Sequence, residues 1–277
     1  MKTTHEEAVS QYYDNNTRFF LKRGAHAQTF NIHQMLWAPE VRTKLEAIQY
    51  SNHLIAQQAQ QINAKQLLDL GCGIGSSIHY LAKALPHSYL QGITISQEQA
   101  TLGTSQLQKY QLSNRCTITQ GSFQALPSSI SSIDLAYAIE SFVHSPDAGT
   151  FFEQVSSCLS ANGTLVLIDD FLGPHALQQK PLVQRFEQGW LLGSLLSVED
   201  VEALADSVGL ELSSNTQLTH WLPLKRWRDH FIRLYINMLD RFQRHDLYFK
   251  SLRGGDARWQ GLRTGVFEYR MLMFQKK

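Results

Sequence analysis

The chain has 277 residues, 43% of them hydrophobic, with 25 Lys and Arg against 24 Asp and Glu for a net charge of +1. That length and apolar content suit one enlarged α/β domain with a large core. The even charge balance offers no basic face for phosphates and so excludes nucleic acid as the expected partner. Cys72, Cys116 and Cys158 lie far apart, with no C-x-x-C pair. Neither a disulfide framework nor a zinc site is readable, no other metal site is expected, and the pattern suits a reducing cytoplasm. The opening MKTTHEEAVSQYYDNN lacks an apolar signal segment, and no run approaches the ~18 apolar residues of a membrane span.

In chain order, residues 1–55 read as a helical lid, interrupted by a turn at Ala38-Pro39. Short apolar runs then alternate with helical stretches. Gln66–Leu70 is a strand, Ser76–Leu85 a helix, Tyr89–Ile95 a strand and Gln97–Tyr110 a helix. Arg115–Thr119, Ile133–Ile139 and Thr164–Asp169 complete five strands. Two more follow at Leu210–Leu218 and Val266–Phe274, with a helix at Val198–Val208. Such alternation predicts βαβ units, hence a doubly wound, Rossmann-like, mostly parallel sheet of seven strands. Residues 56–172 form the core of this reading. Residues 173–277 add the last two strands and two helical insertions, Gly173–Ser197 and Trp221–Arg263.

The sharpest motif is Leu67-Leu-Asp-Leu-Gly-Cys-Gly-Ile-Gly75, a strand running through glycines into a helix. Such a turn lets backbone approach a ligand closely at the carboxyl edge of the sheet. A dinucleotide fingerprint, G-x-G-x-x-G, requires glycine where Ser76 stands, which disfavours a nicotinamide-dependent oxidoreductase. The G-x-G-x-G spacing after Asp69 resembles the first motif of class I S-adenosylmethionine-dependent methyltransferases. The resemblance implies that Asp69, Gly71, Cys72 and Gly73 surround the amino-acid end of that cofactor.

The second strand ends in Gly92-Ile-Thr-Ile-Ser96 followed by Gln99. Most class I methyltransferases place an acidic residue where Thr94 stands. The sterol, tocopherol and cyclopropane-forming branch instead has a similar G-(I/L)-T-x-S-x-x-Q run, which implies that Thr94 and Gln99 hold the ribose hydroxyls. A hydroxyl and an amide can each donate and accept to a diol. Gly121-Ser-Phe123 occupies the next family motif, where an acidic residue commonly meets the adenine amino group beside an apolar one. Ser122 departs from the usual aspartate, and Phe123 either stacks on adenine or belongs to the core.

Ala136-Tyr-Ala-Ile-Glu-Ser-Phe-Val-His-Ser-Pro-Asp147 leaves the carboxyl end of the fourth strand. Sterol C-methyltransferases have a similar A-I-E-x-x-x-H-x-P-D run. Glu140 is the candidate base or cation stabiliser, with His144 the alternative base. Ser145 or Asp147 is expected to cap the following helix.

Upstream, Tyr12-Tyr13-Asp14 and Ile32-His33-Gln34-Met35-Leu36-Trp37 resemble segments that close over cofactor and substrate in the same branch. That implies Tyr13 at the cofactor and Tyr12, His33 and Trp37 at the substrate. Aromatic residues of the insertions (Trp190, Trp221, Trp227, Phe231, Tyr235) suit an apolar or cationic acceptor. Lys225, Arg226, Arg228, Arg233, Arg253, Arg258 and Arg263 read either as an anion site or as a solvated face. The expectation is methyl transfer from S-adenosyl-L-methionine to a small, partly apolar metabolite through a C, N or O acceptor. A catalytically inactive cofactor-binding scaffold is the alternative, and the oligomeric state, including a homo-oligomer, stays open.

Overall fold

A computed structural model describes residues 4–23, 33–224 and 247–277. α1 (His5–Arg23) and α2 (Lys44–Gln61) precede β1 (Gln66–Leu70), α3 (Ser76–Ala84), β2 (Tyr89–Thr94), α4 (Gln97–Lys109), β3 (Cys116–Gln120) and β4 (Ile133–Ile139). There follow α5 (Ala148–Cys158), β5 (Leu159–Leu172), α6 (Lys180–Trp190), α7 (Val198–Ser207), β6 (Leu210–Gln217), α8 (Leu247–Thr264) and β7 (Phe267–Lys276).

The strands form one sheet in the order β3-β2-β1-β4-β5-β7-β6. β1 to β5 are parallel, whereas β7 runs antiparallel to both β5 and β6. The chain winds outward from β1 through β2 to β3 and then returns to β4 on the other side of β1. That reversal opens a crevice beyond the carboxyl ends of β1 and β4, where ligands of open α/β sheets bind.

Side chains of successive strand residues point to opposite faces, and both faces are covered. Leu135, Tyr137 and Ile139 of β4 enter one core with Val166 and Ile168 of β5. Ala136 and Ala138 enter the other, with Leu165, Leu167 and Phe171. β5 outruns the expected Thr164–Asp169 because it pairs with β7 as far as Leu172 and meets Ile133 at Leu159.

The expected lid boundary at residue 55 falls inside α2. Ala47, Tyr50, Ile55 and Ala56 of this helix are buried in the first core, so α2 belongs to the sheet's cover. Thr43 starts it with a capping box: its hydroxyl accepts from the Glu46 amide while the Glu46 carboxylate accepts from the Thr43 amide. α6 and α8 cross at glycines, where a methyl group on Gly189 would lie 2.4 Å from Gly254 Cα. Among the described residues, no helix is long and apolar enough to cross a membrane.

Candidate active site

A cavity of about 360 Å³ opens at the carboxyl edge of β1, β2, β3 and β4, beneath α1 and beside Trp190 of α6 and Ser251 of α8. The glycine loop forms its floor. Gly71 has φ +89°, and its amide and that of Cys72 both donate to the Ile93 carbonyl at 2.9 Å, tying the loop to β2. A Cβ on Gly71 would meet Ser141 at 2.5 Å. Gly73 differs: at φ +54°, its Cβ would meet nothing nearer than Gln99 Nε2 at 4.0 Å and would project into the cavity space. A loop with a bare backbone facing a cavity fits the amino-acid end of S-adenosylmethionine.

Thr94 Oγ1 donates to Gln99 Oε1 at 2.7 Å, and both residues line the cavity. Ser96 caps α4 by accepting from the Gln99 amide. Asp14 of α1 accepts from both the Ser96 hydroxyl and the Glu98 amide, clasping α1 to the start of α4. At the end of β3, Ser122 and Phe123 also line the cavity. The Ser122 hydroxyl accepts from the Gln124 amide at 2.9 Å and donates to Glu6 of α1. Phe123 packs edge-on to Phe151, with centroids 5.4 Å apart.

Glu140 follows β4 at φ +55°, and its amide donates to the Ile168 carbonyl of β5 at 2.9 Å. Its Oε1 accepts from the Gln34 amide and from the Tyr269 hydroxyl, each at 2.8 Å. Burial raises its carboxyl pKa, against the opposing pull of Arg258 and of those two donors. Asp169 and Asp170, at the far end of β5, also line the cavity. Asp169 accepts from the Val143 and Asp170 amides. Asp170 forms a buried 2.5 Å ion pair with Arg258, whose guanidinium lies 5.7 Å from the Trp190 ring and 5.6 Å from that of Tyr269. Asp170 and Glu140 both act on this guanidinium, and burial raises the pKa of all three carboxyl groups, Asp169 furthest.

His144 ends the short helical turn Phe142–His144 and faces the same cavity as Glu140. Its Nδ1 lies 3.2 Å from the Leu191 carbonyl, which can only accept, so Nδ1 carries the proton. Nε2 therefore accepts from the Tyr13 hydroxyl at 3.3 Å. Burial drops the imidazole pKa to about 4. His144 is therefore the neutral ring, a weaker base than a free imidazole, and its Nε2 is occupied by the Tyr13 hydroxyl.

Two other expected residues lie elsewhere. Asp69 is buried in β1, in register with Tyr137 and below the loop, and burial raises its pKa to about 7. It does not line the described cavity. Trp37 is 37% exposed outside that lining, its amide donating to the Trp221 carbonyl, because the turn at Ala38-Pro39 carries it outward. Tyr12 and His33 do line the cavity; Tyr12 pairs with Ser251, and His33 Nε2 lies 3.0 Å from Ser77 of α3. Asp147, not Ser145, caps α5. Trp221 packs against Tyr50 outside the cavity lining. Of the basic residues, Arg258 is consumed by Asp170 and Arg263 lies 4.5 Å from the Trp259 ring. Lys225, Arg226, Trp227, Arg228, Phe231, Arg233 and Tyr235 lie outside the described residues.

Sequence reasoning missed Glu6, Gln34, Ser141, Asp169, Asp170 and Tyr269. Adjacent aspartates at the carboxyl end of a parallel strand were one available signal. Gln34 and Ser141 stood within motifs already singled out, whereas Glu6 reaches the cavity, and Tyr269 reaches Glu140, from elements whose placement only the fold reveals.

The rice (Oryza sativa subsp. japonica) 24-methylenesterol C-methyltransferase 2 is 27% identical over 213 residues, which cover 72% of this chain and 58% of that protein. The chain thus spans under two thirds of that relative's length. The 27-O-demethylrifamycin SV methyltransferase of Amycolatopsis mediterranei is 27% identical over 69% of this chain and 70% of its own. Two solved structures share the fold over nearly the whole of both chains. They are the geranyl diphosphate C-methyltransferase of Streptomyces coelicolor (TM-score 0.72, 16% identity, 100% and 99% covered) and a cyclopropane synthase of Mycobacterium tuberculosis (0.74, 18%, 99% and 99%). The family model described as mycolic acid cyclopropane synthetase matches residues 1–256. With that match spanning most of its length, and with the glycine loop and carboxylate on one cavity, the chain belongs to the mycolic acid cyclopropane synthetase family, within the class I S-adenosylmethionine-dependent methyltransferases.

Proposed function

We propose that the protein transfers a methyl group from S-adenosylmethionine to a small, partly apolar metabolite held beneath α1. One observation carries this reading: the bare backbone at Gly73, the Thr94–Gln99 pair and Glu140 all line the same cavity. The bound cofactor supplies an activated methyl group. The chain's own residues orient the acceptor and manage its charge.

Val9, Ile74, Ile139, Val143 and Trp190 offer apolar walls for the acceptor, while α1 excludes water from above. With its Oε1 held by Gln34 and Tyr269, the Glu140 carboxylate is positioned to take a proton or to face a developing positive charge. Its raised pKa brings the carboxylate nearer to neutral pH, where a general base works best. Tyr13, oriented by neutral His144, offers its phenolic oxygen beside the reacting centre.

Glu140 can face an acceptor carbon or nitrogen that gains positive charge or deprotonate a hydroxyl, so C-, N- and O-methylation all fit. Relatives are named for sterol C-methylation and for O-methylation, two of these three. The intact glycine loop leaves the scaffold alternative without support. Balanced charge and three unpaired cysteines support a cytoplasmic enzyme that does not act on nucleic acid.

Titration calorimetry with S-adenosylhomocysteine tests the cofactor. Wild type should bind, and Gly73→Val should abolish binding in a folded protein by filling the cavity beside the loop. Unchanged affinity in Gly73→Val would sink the assignment. Mass spectrometry of extracts incubated with the enzyme and labelled cofactor should then reveal the acceptor as a metabolite heavier by one methylene.

A further inference from the structure

We infer that Glu6, on the helix that covers the cavity, is the carboxylate that selects an adenine base, replacing the acidic residue absent from position 122. The inference rests on the cofactor reading above and extends it to a residue outside the sheet. The end of β3 carries Ser122 and Phe123 into the cavity, an apolar ring beside a polar group, but no charge. Glu6, more than a hundred residues earlier, lines the cavity at that place and accepts a hydrogen bond from Ser122.

The direction of that bond is set locally. The Ser122 oxygen accepts from the Gln124 amide at 2.9 Å, so its proton is free to go to Glu6 Oε1. Ser122 therefore aims the carboxylate and leaves Oε2 to accept from an exocyclic amino group. Adenine offers such a group on the edge of a ring that Phe123 can flank, whereas a purine without the amino group does not. α1 is fastened around this point by Ser10 to the Ile95 carbonyl, by Asp14 to Ser96 and Glu98, and by His5 to the His144 carbonyl. Recognition of the base is thereby tied to the seating of the lid: without α1 the pocket keeps its aromatic wall but loses its selectivity.

The experiment compares calorimetric binding of S-adenosylhomocysteine and of its 6-deamino purine analogue to wild type, Glu6→Ala, Glu6→Gln and the Glu6→Ala/Ser122→Asp double variant. A hydrogen bond to a charged group corresponds to a preference of about tenfold to a hundredfold for the amino-bearing ligand in wild type. Glu6→Ala should erase that preference while leaving the analogue's affinity unchanged, and Glu6→Gln, which keeps the shape, should give an intermediate value. Ser122→Asp in the double variant should restore the preference. Equal binding of both ligands by wild type overturns the assignment and leaves the cofactor reading standing. Equal weakening of both ligands by Glu6→Ala also overturns it, reducing Glu6 to a structural residue of α1. Failure of wild type to bind either ligand overturns the cofactor reading and this assignment together.

Discussion

Glu140 occupies the left-handed region at φ +55°, a conformation that costs a residue with a side chain about 1–2 kcal/mol. The hydrogen bond from its amide to the Ile168 carbonyl and the two donors on Oε1 hold it there. Glu140→Gln keeps an acceptor oxygen for Gln34 and Tyr269, so the melting temperature and cofactor affinity should change little. Turnover of the identified acceptor should fall by roughly 10²–10⁴, the usual share of general acid–base work. Near-normal turnover would refute the catalytic role. His144 makes a different prediction. Its folded pKa of about 4 lies below the ordinary 6.5, so the neutral ring stabilises the fold above pH 6.5. That contribution is lost as pH falls through 4, with a slope of at most about 1.4 kcal/mol per pH unit for one proton. Urea denaturation at several pH values should show His144→Gln with a shallower acid slope than wild type. Parallel slopes would contradict the neutral, buried ring.

At the scale of elements, the crossing of α6 and α8 depends on glycine against glycine. An alanine at 189 would bring Cβ to 2.4 Å from Gly254 Cα and 2.6 Å from its nitrogen, and backbone cannot swing aside as a side chain can. Gly189→Ala should force the helices apart and cost about 1–3 kcal/mol, read as a lower melting temperature and faster hydrogen exchange in both helices. An unchanged melting temperature would show that the crossing adapts. Trp190, Ser251 and Arg258 ride on these helices, so the cavity wall should loosen with them. These elements also show what a sequence reveals. β1 to β4 and the glycine loop were legible because strand periodicity and close backbone approach are local properties. The whole length of β5 was not, because its ends are defined by pairing with Ile133 and with β7. Trp37 was expected at the substrate because its segment resembles one that closes over the pocket, yet the following turn carries it outside the cavity lining. Glu6 and Tyr269 gave no local sign at all, since each reaches the site from a remote segment.

Across the whole molecule, the Arg258–Asp170 pair fastens α8 to the centre of the sheet. Arg258→Met would leave the buried Asp170 carboxylate without its ion-pair partner, at a cost of about 3–5 kcal/mol. Asp170→Asn added to it should recover much of that loss, as measured by chemical denaturation; no recovery would mean that Arg258 matters through packing on Trp190 and Tyr269. The guanidinium also pulls the Glu140 pKa down. Its removal should therefore move the acidic limb of the turnover profile to higher pH, in the range where Glu140 must lose its proton. The placement of β7 affects how the chain assembles during synthesis. This strand is the seventh in sequence but lies between β5 and β6. As the polypeptide emerges from the ribosome, β1 to β5 can pair in turn, whereas β6 has no neighbour and β5 keeps an open edge until β7 arrives. Tyr269, which holds Glu140, travels on that same strand. A nascent chain therefore passes through a stage with a formed glycine loop, an unguarded hydrophobic edge and an unanchored carboxylate, and chaperone protection matters most in that interval.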